Sequence, residues 1–356
     1  MMLADAGARV IKIEEPQRGD ETRRWGPPFV AGESAYFLSV NRGKESIALD
    51  LKSEQGRSVA ARLIARADVV VENFLPSQRE RLGVSVGRVR ALNPRAILCS
   101  IVGFPGDSAE ANVPGYDLLA QAAGGLMSIT GEPGGEPMRV GVALADVLTA
   151  HYAHGAILSA LYGRERTAHA EAIEVSLLGS TVASMVNVAQ SHLMTGEETH
   201  RWGNAHPSIV PYQAFQASDG MFVLGVGTDR QFSVLCRDVL GRGELAFDER
   251  FAVNAARVTN RQILLDILQA QFRTASREVW VERCRNFDVP ASPVQTVSEV
   301  FRHGSNSTIT IDHPVVGKYQ TVRNPLRGAL RDTEISPPPT LGQHTQAILR
   351  ELGFEE

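Results

Sequence analysis

Runs of β-branched residues alternate with amphipathic stretches along the first hundred positions of the chain. The β-branched runs predict strands, and apolar residues at helical spacing predict a helix over 54–66. The run Val69-Val70-Val71 is apolar at every position, as is typical of parallel strands buried on both faces. Strands that alternate with helices in this way predict an α/β fold. The predicted strands are 10–14, 46–51, 68–73 and 95–101.

After residue 116 the pattern changes to long helices rich in small residues. Apolar positions at the helical period predict a helix over 147–161. Two runs on either side of Ser218-Asp219-Gly220 predict a β-hairpin, and further helices follow it. We therefore expect a doubly wound, Rossmann-like, mostly parallel sheet and a second, smaller α+β domain. The predicted ranges are 1–194 for the large domain, 207–293 for the small domain and 294–356 for a segment that returns to the large domain.

Composition narrows the class of protein. The 356 residues are 43% hydrophobic and 21% charged, and the formal net charge is −4. These values are typical of a globular protein and argue against a nucleic-acid-binding surface, which needs an excess of basic residues. Three widely spaced cysteines without a CxxC pair, and no secretory signal, favour a cytoplasmic location. The least charged segment, 141–163, still contains Asp146 and two histidines, which favours a buried helix over a membrane span.

Several common catalytic signatures are absent from the sequence. There is no GxxxxGK[ST] phosphate-binding loop, no GxSxG nucleophile elbow and no HExxH zinc motif. Gly225 and Gly227 form only the first half of GxGxxG, because Arg230 stands where the third glycine belongs. We therefore expect neither a metal site nor a permanently bound cofactor.

One carboxylate lies in an unusual place. Asp146 is part of the apolar stretch 142–147 and comes directly before the long predicted helix. There it can cap the helix by accepting backbone N–H bonds, and the helix dipole favours its ionised form. It can also act as a nucleophile, because a carboxyl group with a reference pKa of about 3.9 is ionised at neutral pH without a partner base. The residues alone leave both interpretations open.

Eight segments of the chain, taken in order, resemble the class III coenzyme A transferases of the CaiB/BaiF family. The match runs over essentially the whole chain, and the segments are specific as a set. They are GARVIKIE at 7–14, GDETR at 19–23, NRGKESIALDLK at 41–52, ADVVVENF at 67–74, PGYD at 114–117, GGLM at 124–127, TG at 130–131 and GVALAD at 141–146.

The resemblance implies an enzyme that moves CoA from an acyl-CoA donor similar to succinyl-CoA to a free carboxylic acid, here a dicarboxylic acid. Asp146 matches the family's nucleophile, which forms first a mixed anhydride with the donor acyl group and then an aspartyl-CoA thioester. Each step exchanges one activated carboxyl group for another, so ATP is not needed and CoA enters only as a thioester substrate. The family also implies a homodimer of two interlocked rings.

The resemblance also implies which residues hold coenzyme A. Lys52 and Arg81 would lie near its phosphates, although charged residues commonly belong only to a solvated surface. Asn73 and Phe74 follow a predicted strand at its carboxyl end, where ligands bind in open α/β sheets. The residues expected to line the adenine and pantetheine path are Leu49, Asn73 and Phe74.

Tyr116 and Asp117 bear on the branch of the family. The racemases that invert the α-carbon of an acyl-CoA carry His where Tyr116 stands, and a tyrosine with a pKa of about 10 transfers protons poorly at neutral pH. Asp117 stands where some members have Glu beside the nucleophile, and its alternative role is a turn cap. Gly225 and Gly227 loosely match a mobile glycine loop that closes over the family's site. The alternative functions are a 2-methylacyl-CoA racemase and a non-catalytic CoA-binding relative.

The start of the chain bears on the alternative of a non-catalytic CoA-binding relative. In the family, a strand and its phosphate-side loop of roughly 25 residues come before the helix that opens this sequence. We therefore expect either that the start codon is misassigned or that this chain lacks an inner strand and part of the CoA pocket.

Overall fold

The computed structural model describes residues 1–167, 169–302, 307–326 and 335–354. Their packing divides the chain into two compact units. The first unit comprises Met1–Leu126, Val140–Met194 and Gly304–Glu356, and the second comprises Met127–Arg139 and Thr195–His303. Residues Met127–Arg139 thus pack with the second unit, although they lie inside the range predicted for the large domain.

The strands are numbered in chain order. Those of the described residues are β1 (Val10–Glu14), β2 (Phe29–Val30), β3 (Glu33–Ser34), β4 (Lys44–Ala48), β5 (Val69–Glu72), β6 (Ile97–Val102), β7 (Ala172–Ser176), β8 (Tyr212–Gln216), β9 (Met221–Gly225), β10 (Ala291–Pro293), β11 (Thr308–His313) and β12 (Gly317–Val322).

The helices are numbered in the same way. They are α1 (Met2–Asp5), α2 (Ala35–Val40), α3 (Glu54–Arg66), α4 (Pro76–Leu82), α5 (Val86–Leu92), α6 (Asp117–Ala123), α7 (Leu126–Ile129), α8 (Leu144–Thr167), α9 (Leu177–Ser184), α10 (Val186–Thr195), α11 (Asp229–Val234), α12 (Glu244–Phe247), α13 (Asn254–Thr259), α14 (Arg261–Phe272), α15 (Arg277–Asn286), α16 (Val297–Arg302) and α17 (Thr345–Glu351). None of the helices in the described ranges is long and apolar enough to cross a membrane.

The first unit contains parallel strands in two sheets. β1 pairs with β4, from Val10 opposite Lys44 to Glu14 opposite Ala48, and β6 lies between β5 and β7. The prediction of an α/β fold with parallel strands is confirmed. The strands form a two-stranded and a three-stranded sheet, whereas the sequence pattern predicts one doubly wound sheet. A short antiparallel hairpin, β11–β12, also belongs to this unit.

Helix α8 is fixed against the three-stranded sheet and its neighbouring helices. Cys99 of β6 is buried in one cluster with Ile157 of α8. Near the start of α8, Ala145 packs with Ala120 of α6 and Leu177 of α9. Alanines at this contact let the helices approach closely, and interiors packed in this way resist displacement. The first turn of α8 therefore has a defined position.

The second unit is built on a three-stranded antiparallel sheet in the order β10–β9–β8. The predicted hairpin is confirmed, since β8 and β9 pair across residues 217–220. Phe272 packs edge to face against Phe215, Phe222 and Trp280, with ring centroids 4.9, 5.0 and 5.2 Å apart. These aromatic contacts form the centre of the core of this unit.

The three cysteines are buried free thiols. Desolvation raises the pKa of Cys99 to about 11, with a smaller contribution from the charge of Glu72. It also raises the pKa of Cys236 and of Cys284 to about 12. Because the thiolate is the reactive form, these side chains contribute to packing and not to nucleophilic chemistry.

Candidate active site

Asp146 is the third residue of α8. It follows the buried Ala145 and is itself exposed to solvent. The carboxylate therefore stands at the N-terminal end of a 24-residue helix, where the helix dipole favours a negative charge. The residues of the buried face, mostly spaced four positions apart, are Ala145, Thr149, Ala153, Ile157, Ala160 and Arg164.

Asp117, and not Asp146, caps α8. Its Oδ1 accepts the N–H of Ala145 at 2.8 Å, from a position 28 residues earlier in the chain. Asp146 lies inside the helix, so the interpretation of Asp146 as the N-cap residue is wrong. The alternative role considered for Asp117 is a cap of its own turn. Asp117 is a capping residue, but the N–H that it accepts belongs to α8, and α6 has no side-chain cap at its own start.

Three titratable groups influence one another's charge near the start of α8. Desolvation, followed by the negative charge of Asp117, raises the pKa of the Asp146 carboxyl group above its usual value. Desolvation also raises the pKa of the Tyr36 hydroxyl, and the charges of Asp146 and Asp117 add to this effect. The Tyr36 hydroxyl therefore stays protonated at neutral pH near the two carboxylates, where it can donate a hydrogen bond.

No sequence pattern singles out Tyr36. It lies on α2, and its ring contacts Trp25 edge to face, with centroids 5.0 Å apart. Ser34 caps α2 by accepting the N–H of Phe37, and its hydroxyl donates to the carbonyl of Trp25. The only signal in the sequence is a Trp and a Tyr near a Pro- and Gly-rich stretch, which indicates no particular chemistry.

A buried carboxylate anchors the segment that leads to Trp25. Glu14, 3% exposed at the end of β1, accepts two hydrogen bonds from Arg23, each 2.8 Å long, and one from Ser46. Desolvation alone would raise the pKa of Glu14, but these hydrogen bonds outweigh it and the pKa lies below its usual value. Arg23 also donates to the carbonyl of Pro339. The ion pair thus ties this segment to β1, to β4 and to the C-terminal part of the chain.

Two glycines join β6 to the loop before Tyr116. Gly103 follows β6 and Gly115 precedes Tyr116, and a Cβ on either glycine would overlap the Cα of the other. The backbones can approach this closely only because neither residue has a side chain. The contact holds Asp117 and the 56% exposed Tyr116 near the carboxyl end of β6, the edge at which α/β sheets bind ligands.

The residues implied for CoA binding lie in the first unit, but in different surroundings. Leu49 is 8% exposed and packs in the core with α17, so it does not line an open surface of the single chain. Phe74 is partly buried, and its N–H donates to Glu72 at 2.8 Å, which fixes the turn after β5. The exposed members of the set are Lys52, Asn73 and Arg81.

Arg81 borders a cavity of about 530 Å³ at the surface of the first unit. Arg57 and Arg88 line the same cavity, together with Glu54 and Glu80. The structure thus brings Arg81 together with two further arginines that the sequence pattern does not single out. Guanidinium groups are suited to bind phosphate oxygens in pairs.

Gly225 and Gly227 lie in the second unit. Gly225 ends β9, and the N–H of Gly227 donates to Oε1 of Gln231 at 3.0 Å. Thr228 and Gln231 form a capping box at the start of α11. The glycine turn is therefore joined to a helix N-terminus by hydrogen bonds.

The chemistry available at the start of α8 is nucleophilic attack by a carboxylate. Asp146 is exposed, and such a group reacts in its ionised form without a partner base. Within the described ranges, no group of three or more His, Cys, Asp or Glu is arranged to hold a metal ion. The candidate site therefore consists of Asp146, Asp117 and Tyr36.

The chain is similar to known proteins of one family. The sequence model of CoA-transferase family III matches residues 1–345. The chain is 41% identical over 357 residues to succinyl-CoA:glutarate CoA-transferase of Mus musculus, with 99% of this chain and 82% of that protein covered. It is 39% identical over 364 residues to succinate–glutarate CoA-transferase of Agrobacterium fabrum, with 99% and 90% covered. The crystal structure of a CaiB/BaiF family protein from Brucella suis matches with a TM-score of 0.84 and 42% identity, covering 98% of this chain and 93% of that one.

Proposed function

The chain belongs to CoA-transferase family III, and we propose that it moves CoA from succinyl-CoA, or a similar donor, to glutarate or another free dicarboxylic acid. The observation that carries the proposal is the exposed Asp146 carboxylate at the start of α8, inside a segment that matches the family's nucleophile. The substrate class comes from relatives that are named for CoA transfer between two dicarboxylic acids.

In the proposed reaction, an oxygen of Asp146 attacks the thioester carbonyl of the donor, the C–S bond breaks and CoA leaves as a thiolate. The product is a mixed anhydride between Asp146 and the donor acyl group. The thiolate then attacks the Asp146 carbonyl carbon, the donor carboxylate leaves and an aspartyl-CoA thioester remains. The acceptor carboxylate then attacks the aspartyl-CoA thioester, CoA leaves as a thiolate, and a mixed anhydride forms between Asp146 and the acceptor. The thiolate attacks the acceptor carbonyl carbon of this anhydride, which releases the acceptor as its CoA thioester and restores the Asp146 carboxylate. ATP is not consumed, because each acyl bond that breaks is replaced by one of similar energy.

The electrostatics of the site support this chemistry. A raised pKa makes the Asp146 carboxylate more basic, and a more basic carboxylate is a better nucleophile once it is ionised. The N-terminal end of α8 keeps the ionised form accessible at neutral pH. The Tyr36 hydroxyl is protonated and can donate a hydrogen bond to a carboxylate bound beside Asp146.

We also propose that two copies of the chain associate as a homodimer, as the family resemblance implies. Large apolar side chains on α8 and α10 support this proposal. Tyr162 is 67% exposed, and Leu193 and Met194 are 77% and 76% exposed. Leu193 and Met194 are neighbours in the chain, and adjoining exposed apolar side chains commonly mark protein interfaces. Buried free thiols support the further proposal of a cytoplasmic location, where thiols stay reduced.

A matrix of acyl-CoA donors and free acids tests the proposed function. Each donor is incubated with each acid, and the acyl-CoA products are identified by mass. We expect succinyl-CoA and glutarate to give glutaryl-CoA, and the reverse pair to react at a comparable rate, because the exchange is close to isoenergetic. A lack of exchange for every dicarboxylic pair, with acyl-CoA still bound, would contradict the proposal. Deuterium uptake at the α-carbon of a 2-methylacyl-CoA in heavy water would indicate a racemase instead.

Asp117→Asn is expected to move the acid limb of the transfer rate to lower pH. The asparagine Oδ1 can still accept the Ala145 N–H, but the negative charge that helps to raise the pKa of Asp146 is removed. The ionised form of Asp146 reacts, so activity is lost as the pH falls through its pKa, and a lower pKa moves this loss to lower pH. The measurement is kcat/KM for the acyl-CoA between about pH 4 and 8. The control is Asp312→Asn, an exposed position on β11. An unchanged acid limb in Asp117→Asn would mean that another group controls it.

A further inference from the structure

Gln121 is a buried polar residue that no step of the proposed reaction uses. It lies on α6, four positions after Asp117, and is 0% exposed. Residues four positions apart lie on the same face of a helix. A buried amide costs free energy unless its donor and acceptor atoms are both hydrogen-bonded. Its partners therefore indicate what this side chain does.

Both ends of the Gln121 amide have partners. Nε2 donates to Oδ2 of Asp117 at 2.8 Å, and Oε1 accepts the N–H of Val140 at 2.9 Å. Nε2 also lies 3.5 Å from the carbonyl oxygen of Val142. The amide thus joins the Asp117 carboxylate to the backbone that leads into α8.

The second oxygen of Asp117 completes this set of contacts. Oδ1 accepts the N–H of Ala145, the residue before Asp146. Because one oxygen is held by Gln121 and the other by α8, the Asp117 carboxylate cannot rotate without losing a hydrogen bond. Gln121 therefore determines how Asp117 faces Asp146 and where the backbone enters the first turn of α8.

We propose that Gln121 is a positioning residue for the nucleophile. Through Asp117 and the backbone of 140–142, it holds the start of α8 so that the Asp146 carboxylate is directed at the thioester carbonyl. The proposal rests on the proposed role of Asp146 in CoA transfer. A displacement of about 1 Å at a reacting group costs about 100-fold in rate, so a residue that only supports the nucleophile can have a large effect.

Only a side chain that donates at one end and accepts at the other fits both partners. Leucine at this position removes both hydrogen bonds at similar volume and leaves the N–H of Val140 without its acceptor. Glutamate keeps an acceptor for that N–H but places a second negative charge against Asp117. Gln121→Leu is therefore the main test, and Gln121→Glu is the second variant if Gln121→Leu does not fold.

We expect Gln121→Leu to lower kcat by about 10- to 100-fold, because a displacement of the nucleophile by about 1 Å costs about 100-fold in rate. The KM for the acyl-CoA should change little, because Gln121 lies in the interior and not on a substrate surface. Gln121→Glu should show the same division between kcat and KM. Unchanged kcat in a folded Gln121 variant would overturn the proposal.

A double variant distinguishes an effect of Gln121 that acts through Asp117 from a general effect on the stability of the protein. If Gln121 acts through Asp117, the variant that combines Gln121→Leu with Asp117→Asn should be about as slow as the slower single variant, because interacting residues are not additive. Effects on kcat that multiply would show that the two residues act independently and would overturn the proposal.

The matched control is Gln262→Leu on α14. Gln262 donates to Asp266 at 2.7 Å, also four positions along a helix, but it is exposed and lies in the second unit. We expect its kcat and KM to equal those of the wild type. Loss of kcat in this control would show that the effect is not specific to Gln121.

Amide hydrogen exchange tests the inference by a measurement that does not depend on CoA transfer. In Gln121→Leu, the N–H groups of Val140 and Ala145 should exchange more than about tenfold faster than in the wild type, because local opening becomes easier. Unchanged exchange at these two amides would overturn the inference by itself. If the wild type transferred no CoA, the proposed function would fail, and this measurement would still decide whether Gln121 holds the segment.

Discussion

Asp146→Asn is expected to abolish CoA transfer while leaving the fold intact. The amide of asparagine has the same size, but it is neutral and a poor nucleophile, so the anhydride cannot form. We expect kcat to fall by at least about 10⁴-fold, the scale observed when a nucleophile is removed from an enzyme. Because Asp117 caps α8, the substitution removes no hydrogen bond from the start of the helix. The measurement is the rate of acyl-CoA exchange between succinyl-CoA and glutarate.

Covalent trapping gives a second measurement of the same prediction. Incubation with an acyl-CoA and hydroxylamine should convert the acylated carboxyl group into a hydroxamate, which peptide mass assigns to residue 146. Asp146→Asn should give no such adduct, whereas the exposed control Asp312→Asn should react like the wild type. A hydroxamate on another residue, or transfer retained in Asp146→Asn, would identify a different nucleophile.

The local hydrophobic pattern predicts many of the elements around Asp146. The predicted strand 10–14 coincides with β1, because its β-branched residues favour a strand. The predicted helix 54–66 coincides with α3, because apolar periodicity and the Ser53 cap define it. The helix predicted at 147–161 is longer in the structure, Leu144–Thr167. Its first turn is closed by a side chain 28 residues away, and a local pattern contains no information about such a partner.

The candidate site is only partly predictable for the same reason. Asp146 and Asp117 lie in segments that resemble a family, and the structure brings both to the start of α8. Tyr36 reaches this place because the Glu14–Arg23 ion pair and the Ser34 cap fold the loop before it, and these are contacts between distant or unpatterned positions. The position of Tyr36 near the two carboxylates therefore cannot be predicted from the sequence and requires the structure.

The surroundings of Leu49 could not be predicted from its residue type. A leucine after a strand has the same sequence pattern whether it lines a ligand path or packs against a helix. In the single chain it is buried with α17, whose sequence is some 300 residues away. Residue type thus predicts that Leu49 prefers an apolar environment, but the fold decides which environment this is.

Gly115→Ala is expected to lower both stability and activity. The new Cβ would overlap the Cα of Gly103, and no flexible side chain is present to move aside. The loop must shift away from β6, and overpacking of this kind costs about 1–3 kcal/mol in the free energy of unfolding. Because Asp117 follows two positions later, the shift also displaces the cap of α8. We expect a thermal midpoint several degrees lower and a kcat reduced by about 100-fold.

Gly87→Ala is the matched control for this prediction. Gly87 lies on α5, and a Cβ added there meets no atom within 4 Å. Alanine is a better helix former than glycine by about 1 kcal/mol, so this variant should be as stable as the wild type or slightly more stable, with the same kcat. If Gly115→Ala behaved like Gly87→Ala, contacts other than the Gly103–Gly115 approach would have to hold the loop. A lower thermal midpoint with an unchanged kcat in the folded protein would show that the glycine contact anchors the loop but does not place Asp117.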